Sequence, residues 1–156
     1  MSKSLARVRA ALQDAGADVQ VLEMPGSTRT AQEAADQAGC ALDQIAKSII
    51  FQGQASGHVV LFLTAGGNRV DAGRAAAVAG QELGRADAAL IRAETGFAIG
   101  GVAPVGHLRP VTAFFDPRLL DFPTVWAAAG TPRHIFAIAP DRLLALTGAT
   151  LADFTA

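Results

Sequence analysis

Apolar positions recur along the chain with two periods, and the switches between them mark out the elements. Leu5, Val8 and Leu12 are spaced three and four apart, which predicts an amphipathic helix that Gly16 ends. "VQVLEM" then alternates like a strand. "PGSTRT" breaks the pattern, and Thr30 with Glu33 has the spacing of a capping box, so a helix is expected to run from there to about Gly39. "IAKSIIF" and "HVVLFLT" are β-rich runs separated by the turn-rich "QGQASG", which predicts a hairpin.

Asp71 is placed to cap the Ala-rich "AGRAAAVAG", and "DAALIRAE" predicts a further short helix stopped near Gly96. "VTAFF", "TVWAAA" and "HIFAIA" predict three short strands, with turns at "DPRLLDFP" and "GTPR". "PDRLLALTG" closes the series as a helix, with Pro140 in its first turn and Gly148 after it. The order does not repeat βα units, which disfavours a doubly wound parallel sheet. The expectation is a mixed α+β fold with a curved, largely antiparallel sheet surrounded by helices, as one domain over 1–156.

Composition narrows the function classes. At 156 residues with 51% hydrophobic and 17% charged positions, the chain can bury one sizeable core, and disorder is excluded. No apolar run approaches the roughly 18 residues of a membrane span. The first residues lack the apolar segment and cleavage site of a secretory signal, so the expectation is a cytoplasmic protein. Cys40 is the single cysteine, which rules out an internal disulfide and disfavours a thiolate metal site. The net charge of -1 supplies no general attraction for nucleic acid. Any such contact is expected to be local, with Arg69, Arg74 and Arg85 as one candidate patch and a solvated helix face as the alternative.

Conventional catalytic patterns are missing. There is no G-x-S-x-G, no H-E-x-x-H and no P-loop lysine, and His58, His107 and His134 are scattered. Two features stand out instead. Of 13 basic residues only Lys3 and Lys47 are lysines, and Lys47 lies inside an apolar strand. An ammonium fits a tight pocket and shifts its pKa on desolvation, unlike a guanidinium; an edge-strand lysine reaching out to solvent is the alternative. The second feature is "ETGFAIGGVAPVGH", residues 94–107, with four glycines and one proline. Either it is a connection, or Gly100 and Gly101 let backbone N–H groups form a cradle beside a ligand, with Pro104 stiffening the far side.

Together, Lys47, "GGVAP" at 100–104 and "AAAGTPRHIFAIAPDRLLALTGATLADF" resemble the editing insertion domain of bacterial prolyl-tRNA synthetases. They are more similar still to its freestanding homologues, the YbaK-type aminoacyl-tRNA deacylases. The likeness spans roughly residues 30–154. It implies a partly barrel-like mixed sheet. It also implies hydrolysis in trans of the ester joining a wrong amino acid to the terminal adenosine of tRNA, with no cofactor, no metal and no covalent intermediate.

On that resemblance Lys47, Gly100 and Gly101 would be the catalytic residues: Lys47 holding the terminal adenosine or its phosphate, the loop amides holding the acyl group or orienting the water. Val102, Ala103, Pro104 and His134 would bind the substrate, with His134 tuning selectivity. Relatives specific for cysteinyl-tRNA carry a glycine–lysine–arginine turn where this chain has "GTPRH", so the implied amino acid is small and alanine-, serine- or threonine-like. Expected partners are a mischarged tRNA and, as an accessory, a synthetase or elongation factor, with the protein a monomer or weak dimer and no membrane. A non-catalytic module binding aminoacyl-tRNA, a nucleotide or a synthetase is the alternative, and a hydrolase of another small ester a third.

Overall fold

The computed structural model describes residues 2–156. Helix α1 (Lys3–Asp14) starts where the Ser2 hydroxyl accepts from Leu5 N at 2.9 Å, and it buries Leu5, Val8 and Leu12. Strand β1 (Val21–Glu23) leads to α2 (Ala31–Ala38), which opens with the Thr30–Glu33 capping box and ends at Gly39 with φ +68°. A 3-10 turn at Leu42–Gln44 feeds β2 (Ala46–Gly53), and β3 (Val59–Ala65) returns antiparallel to it with Lys47 opposite Thr64. All seven residues of β3 are buried, which is why its run is apolar throughout rather than alternating.

Helix α3 (Ala72–Ala79) is capped by Asp71. Strand β4 (Leu83–Arg85) and helix α4 (Ala88–Thr95) follow. Strand β5 (Thr112–Phe115), a 3-10 segment at Pro117–Asp121, β6 (Val125–Ala128), β7 (His134–Ile138), α5 (Pro140–Thr147) and β8 (Thr150–Leu151) complete the order.

Five strands form one sheet in the order β4-β2-β3-β5-β8, and three form another in the order β1-β7-β6. Four pairings are antiparallel; β3–β5 and β5–β8 are parallel. Among the described residues one parallel bridge, Ile45 to Trp126, joins the sheets where β2 begins, and they do not close into a barrel. The mixed α+β fold expected from the sequence is what forms.

Two strands escaped the sequence pattern. β4 and β8 have three and two residues, too short to show a period. "DPRLLDFP", read as a turn, contains the 3-10 segment that Asp116 caps through Arg118 N.

The main core lies between the sheets and α1, α4 and α5, around Leu61, Leu63, Phe97, Phe115 and Phe136. A second cluster on the other face of the five-stranded sheet centres on Phe62, whose ring lies 5.3 Å from Phe114 and 4.9 Å from Phe154. Removing such a fully buried ring costs about 3–5 kcal/mol. These two packed layers fix β2 as a rigid strand, and β2 carries Lys47.

Candidate functional site

Lys47 is half-buried near the start of β2. Its Nζ donates to Gly66 O at 3.1 Å and to Asn68 O at 2.6 Å, both in the loop after β3. An ammonium has three donors, so these bonds leave one for a ligand. The loop is held from below. Asp43 accepts from Gly67 N at 2.8 Å, and buried Asp116 accepts from Ala65 N at 3.1 Å and from Asn68 Nδ2 at 2.9 Å. A Cβ on Gly66 would collide with Leu42 O, so only glycine lets the loop lie this close. Desolvation pushes the Lys47 pKa below that of an ordinary lysine, and nearby Arg69 adds to this, while Asp43 and Asp116 oppose it.

The glycine loop begins after Gly96, whose φ of +81° ends α4. Gly100 has φ +89°, a conformation in which any Cβ is strained. Gly101 owes its identity to space: a Cβ there would sit 3.3 Å from the backbone carbon of Thr131. The Gly101 N–H is already used, donating to Ala98 O at 3.1 Å. Among the described residues, the N–H groups of Ile99, Gly100 and Val102 have no protein acceptor. Further along, the His107 ring bonds Ala103 O through Nε2 at 2.7 Å, and burial pushes its pKa down.

Lys47, Gly100 and Val102 line one cavity of about 530 Å³ that opens between the start of β2, α2, β6, β7 and the glycine loop. Its walls are largely apolar, with Ile45, Ile50, Ala34, Ala127, Ile135 and Trp126 among them. Its polar side chains are those of Thr28, Arg29, Thr30, Lys47, Ser48 and Arg85; among the described residues no carboxylate, imidazole or thiol lines it. Such a space can hold a small aliphatic group against its walls and an anion against its cations.

The remaining sequence-predicted residues stand behind or beside that lining. Gly101 packs on the 130–133 turn. Ala103 and Pro104 are buried behind the wall, and Pro104 faces a different cavity, between α1 and α5. His134 is outside the lining: its Nδ1 lies 2.6 Å from Thr131 Oγ1 and its Nε2 3.5 Å from Glu23, while its neighbour Ile135 reaches the cavity. The three arginines have different neighbours. Arg85 lines the cavity, Arg69 lies near enough to act on Lys47, and Arg74 bonds Thr155 O at 3.0 Å and pairs with Asp153.

Sequence reading missed Arg29, Ser48 and Trp126. Arg29 stands in "PGSTRT", and Thr28 ties that loop to the turn before β7, donating to Pro132 O through its N–H at 2.7 Å and its hydroxyl at 2.9 Å. Ser48 follows Lys47 directly, and Trp126 is the chain's single tryptophan, which was the one available signal.

The chain and its fold have close counterparts among known proteins. A protein from Bacillus subtilis (strain 168), YwhH, is 29% identical over 140 residues, covering 90% of this chain and 88% of its own. The crystal structure of a candidate trans-editing enzyme for prolyl tRNA synthetase superposes with a TM-score of 0.92 at 48% identity, covering 100% of this chain and 99% of that one. The protein APE2540 superposes with a TM-score of 0.88 at 28% identity, over 96% of this chain and 99% of that one. No helix among the described residues is long and apolar enough to cross a membrane. Residues 26–146 match the family described as the aminoacyl-tRNA editing domain, and with the cavity, Lys47 and the glycine loop all inside that span, the chain belongs to that family.

Proposed function

We propose that this protein is a trans-editing hydrolase that removes a small amino acid, alanine-, serine- or threonine-like rather than cysteine, from a mischarged tRNA. One observation carries the reading. A half-buried ammonium with a spare donor borders the same largely apolar cavity as three glycine-loop residues, Ile99, Gly100 and Val102, whose backbone N–H groups have no protein acceptor among the described residues.

The reaction needs little more than that. A water oxygen attacks the ester carbonyl carbon, and charge develops on the carbonyl oxygen. The carbon–ribose oxygen bond then breaks, and the proton lost by the water ends on the ribose hydroxyl. Preset donors aimed at the developing oxyanion are worth about 10²–10³ in rate each. The Gly100 and Val102 amides are the donors in this reading, with Gly101 fixing the loop on Thr131. Lys47 holds the terminal adenosine or its phosphate beside them. Because the lining offers no carboxylate or imidazole, the proton acceptor is assigned to the substrate or to solvent.

Selectivity for a small side chain follows from walls of Ala, Ile and Val, which admit small groups and exclude larger ones. In this reading Ala103, Pro104 and His134 support the pocket from behind, His134 through Thr131 and through its strand neighbour Ile135.

Single-turnover deacylation over a panel of tRNAs charged with alanine, serine, threonine, cysteine and proline tests the proposal. Fast release of one small amino acid supports it. Binding without turnover would make the protein a carrier or sensor, and equal hydrolysis of simple esters without tRNA would make it a general esterase.

A further inference from the structure

Helix α1 lies outside the matched 26–146 segment, yet it reaches the glycine loop through one side chain. The Arg7 guanidinium donates through Nη2 to Gly96 O at 2.5 Å and through Nε to Gly106 O at 3.3 Å. Those carbonyls stand at the two ends of the loop. Both glycines have positive φ, +81° and +80°. The same guanidinium carbon lies 5.1 Å from the centroid of the buried Phe97 ring, the first side chain inside the loop.

The backbone of α1 also comes close. A Cβ on Gly106 would lie 3.1 Å from Arg7 C and O. A Cβ on Gly130 would lie 3.0 Å from Ser4 C and O. Gly130 opens the turn on which Gly101 packs. One helix therefore braces both the loop that carries the free amides and the turn that supports it.

The geometry points to Arg7 as a positioning residue: its planar fork clips the two ends of 96–106 together and so fixes where Gly100 and Val102 present their N–H groups. The fork is specific to the job, because two carbonyls are met by two fixed donors, whereas a lysine would offer a single flexible ammonium. The carbonyls of Gly96 and Gly106 lie on the α1 side of the loop, so Arg7 acts without touching the reacting atoms. This assignment rests on the deacylase reading for its effect on rate, but not for its effect on the loop.

The test compares wild-type protein with Arg7→Ala and Arg7→Lys in two measurements. The first is amide hydrogen exchange over 97–106, set against the β2–β3 hairpin. The second is single-turnover deacylation, with the maximal rate separated from the half-saturating concentration. In Arg7→Ala the loop is expected to exchange at least about tenfold faster with the hairpin unchanged. The maximal rate should fall about tenfold while half-saturation moves less than about threefold. Low concentrations of free guanidinium should restore part of that rate, and none of the rate lost in Lys47→Ala. Arg7→Lys should show the same local loosening in weaker form.

Unchanged exchange over 97–106, or equal acceleration in the hairpin, would overturn the assignment. If Arg7→Ala does not fold, Arg7→Lys decides: wild-type exchange and rate in that variant overturn the clip. If the wild-type protein hydrolyses none of the charged tRNAs, the deacylase reading fails and the exchange measurement still decides the clip.

Discussion

The two walls of the cavity are built by different means. On the β2 side, the proposed chemistry rests on one side chain, Lys47, on a strand locked into the central sheet and held by carbonyls of the neighbouring loop. On the glycine-loop side, the proposed chemistry rests on backbone N–H groups, and the surrounding groups hold the loop: Arg7 at both ends, His107 on Ala103 O, and the Thr131 backbone against Gly101. A side-chain wall is sensitive to what a residue is. A backbone wall is sensitive to where a residue sits.

That difference can be broken most sharply at Lys47. Lys47→Ala should lower single-turnover deacylation about a hundredfold, equivalent to about 2.7 kcal/mol of transition-state stabilisation, with little change in melting temperature. A normal rate with a depressed melting temperature would make Lys47 a structural residue. Lys47→Arg should recover only part of the loss, since a planar fork does not replace a compact ammonium.

The loop glycines come next. Gly100→Ala puts a Cβ at φ +89°, and Gly101→Ala presses one on the Thr131 backbone, so each should slow hydrolysis about tenfold after correction for folded fraction by circular dichroism. Near-wild-type rates in both would remove the backbone wall from the mechanism.

A pH series separates the walls without mutation. In the proposed mechanism Lys47 acts as a cation, and its pKa is lowered by burial, so activity should fall as pH rises through a value below that of an ordinary lysine. Stability should move the other way. Between the folded and unfolded pKa values the unfolded chain binds more protons, so this group's contribution to stability rises with pH. An alkaline limb that survives in Lys47→Ala would assign it elsewhere. The smallest effects are expected behind the lining. Val102→Ala should change the alanine rate less than about threefold while widening the accepted side chains, and His134→Ala should shift the relative rates less than Val102→Ala does. Larger selectivity changes in His134→Ala would bring that histidine into the pocket.

Legibility in the sequence follows the same divide. Lys47 could be picked out because a lysine inside an apolar strand of an arginine-using chain is a local anomaly. The helix starts at Thr30 and Asp71 and the stops at Gly39 and Gly96 were also legible, since caps are written in neighbouring residues. The loop's glycines announced unusual backbone but not its cause. Gly100 is required by its own φ, Gly101 by a turn thirty residues away, and the clip by Arg7 in another helix. Contacts at such separations leave no periodic trace. For the same reason β4 and β8, which exist only as partners of longer strands, could not be read, and neither could the approach of Arg29 to the site.

The central claim is that one ligand meets both walls at once. It is tested most directly by titrating the protein with an aminoacyl-adenosine analogue in which an amide replaces the ester, while following backbone amide and lysine side-chain signals by NMR. The account predicts that the Gly100 and Val102 amides and the Lys47 ammonium shift together, with one saturation curve, and that an alanyl analogue binds more tightly than a bulky one. Saturable shifts confined to one wall, or to surfaces away from the cavity, would contradict it.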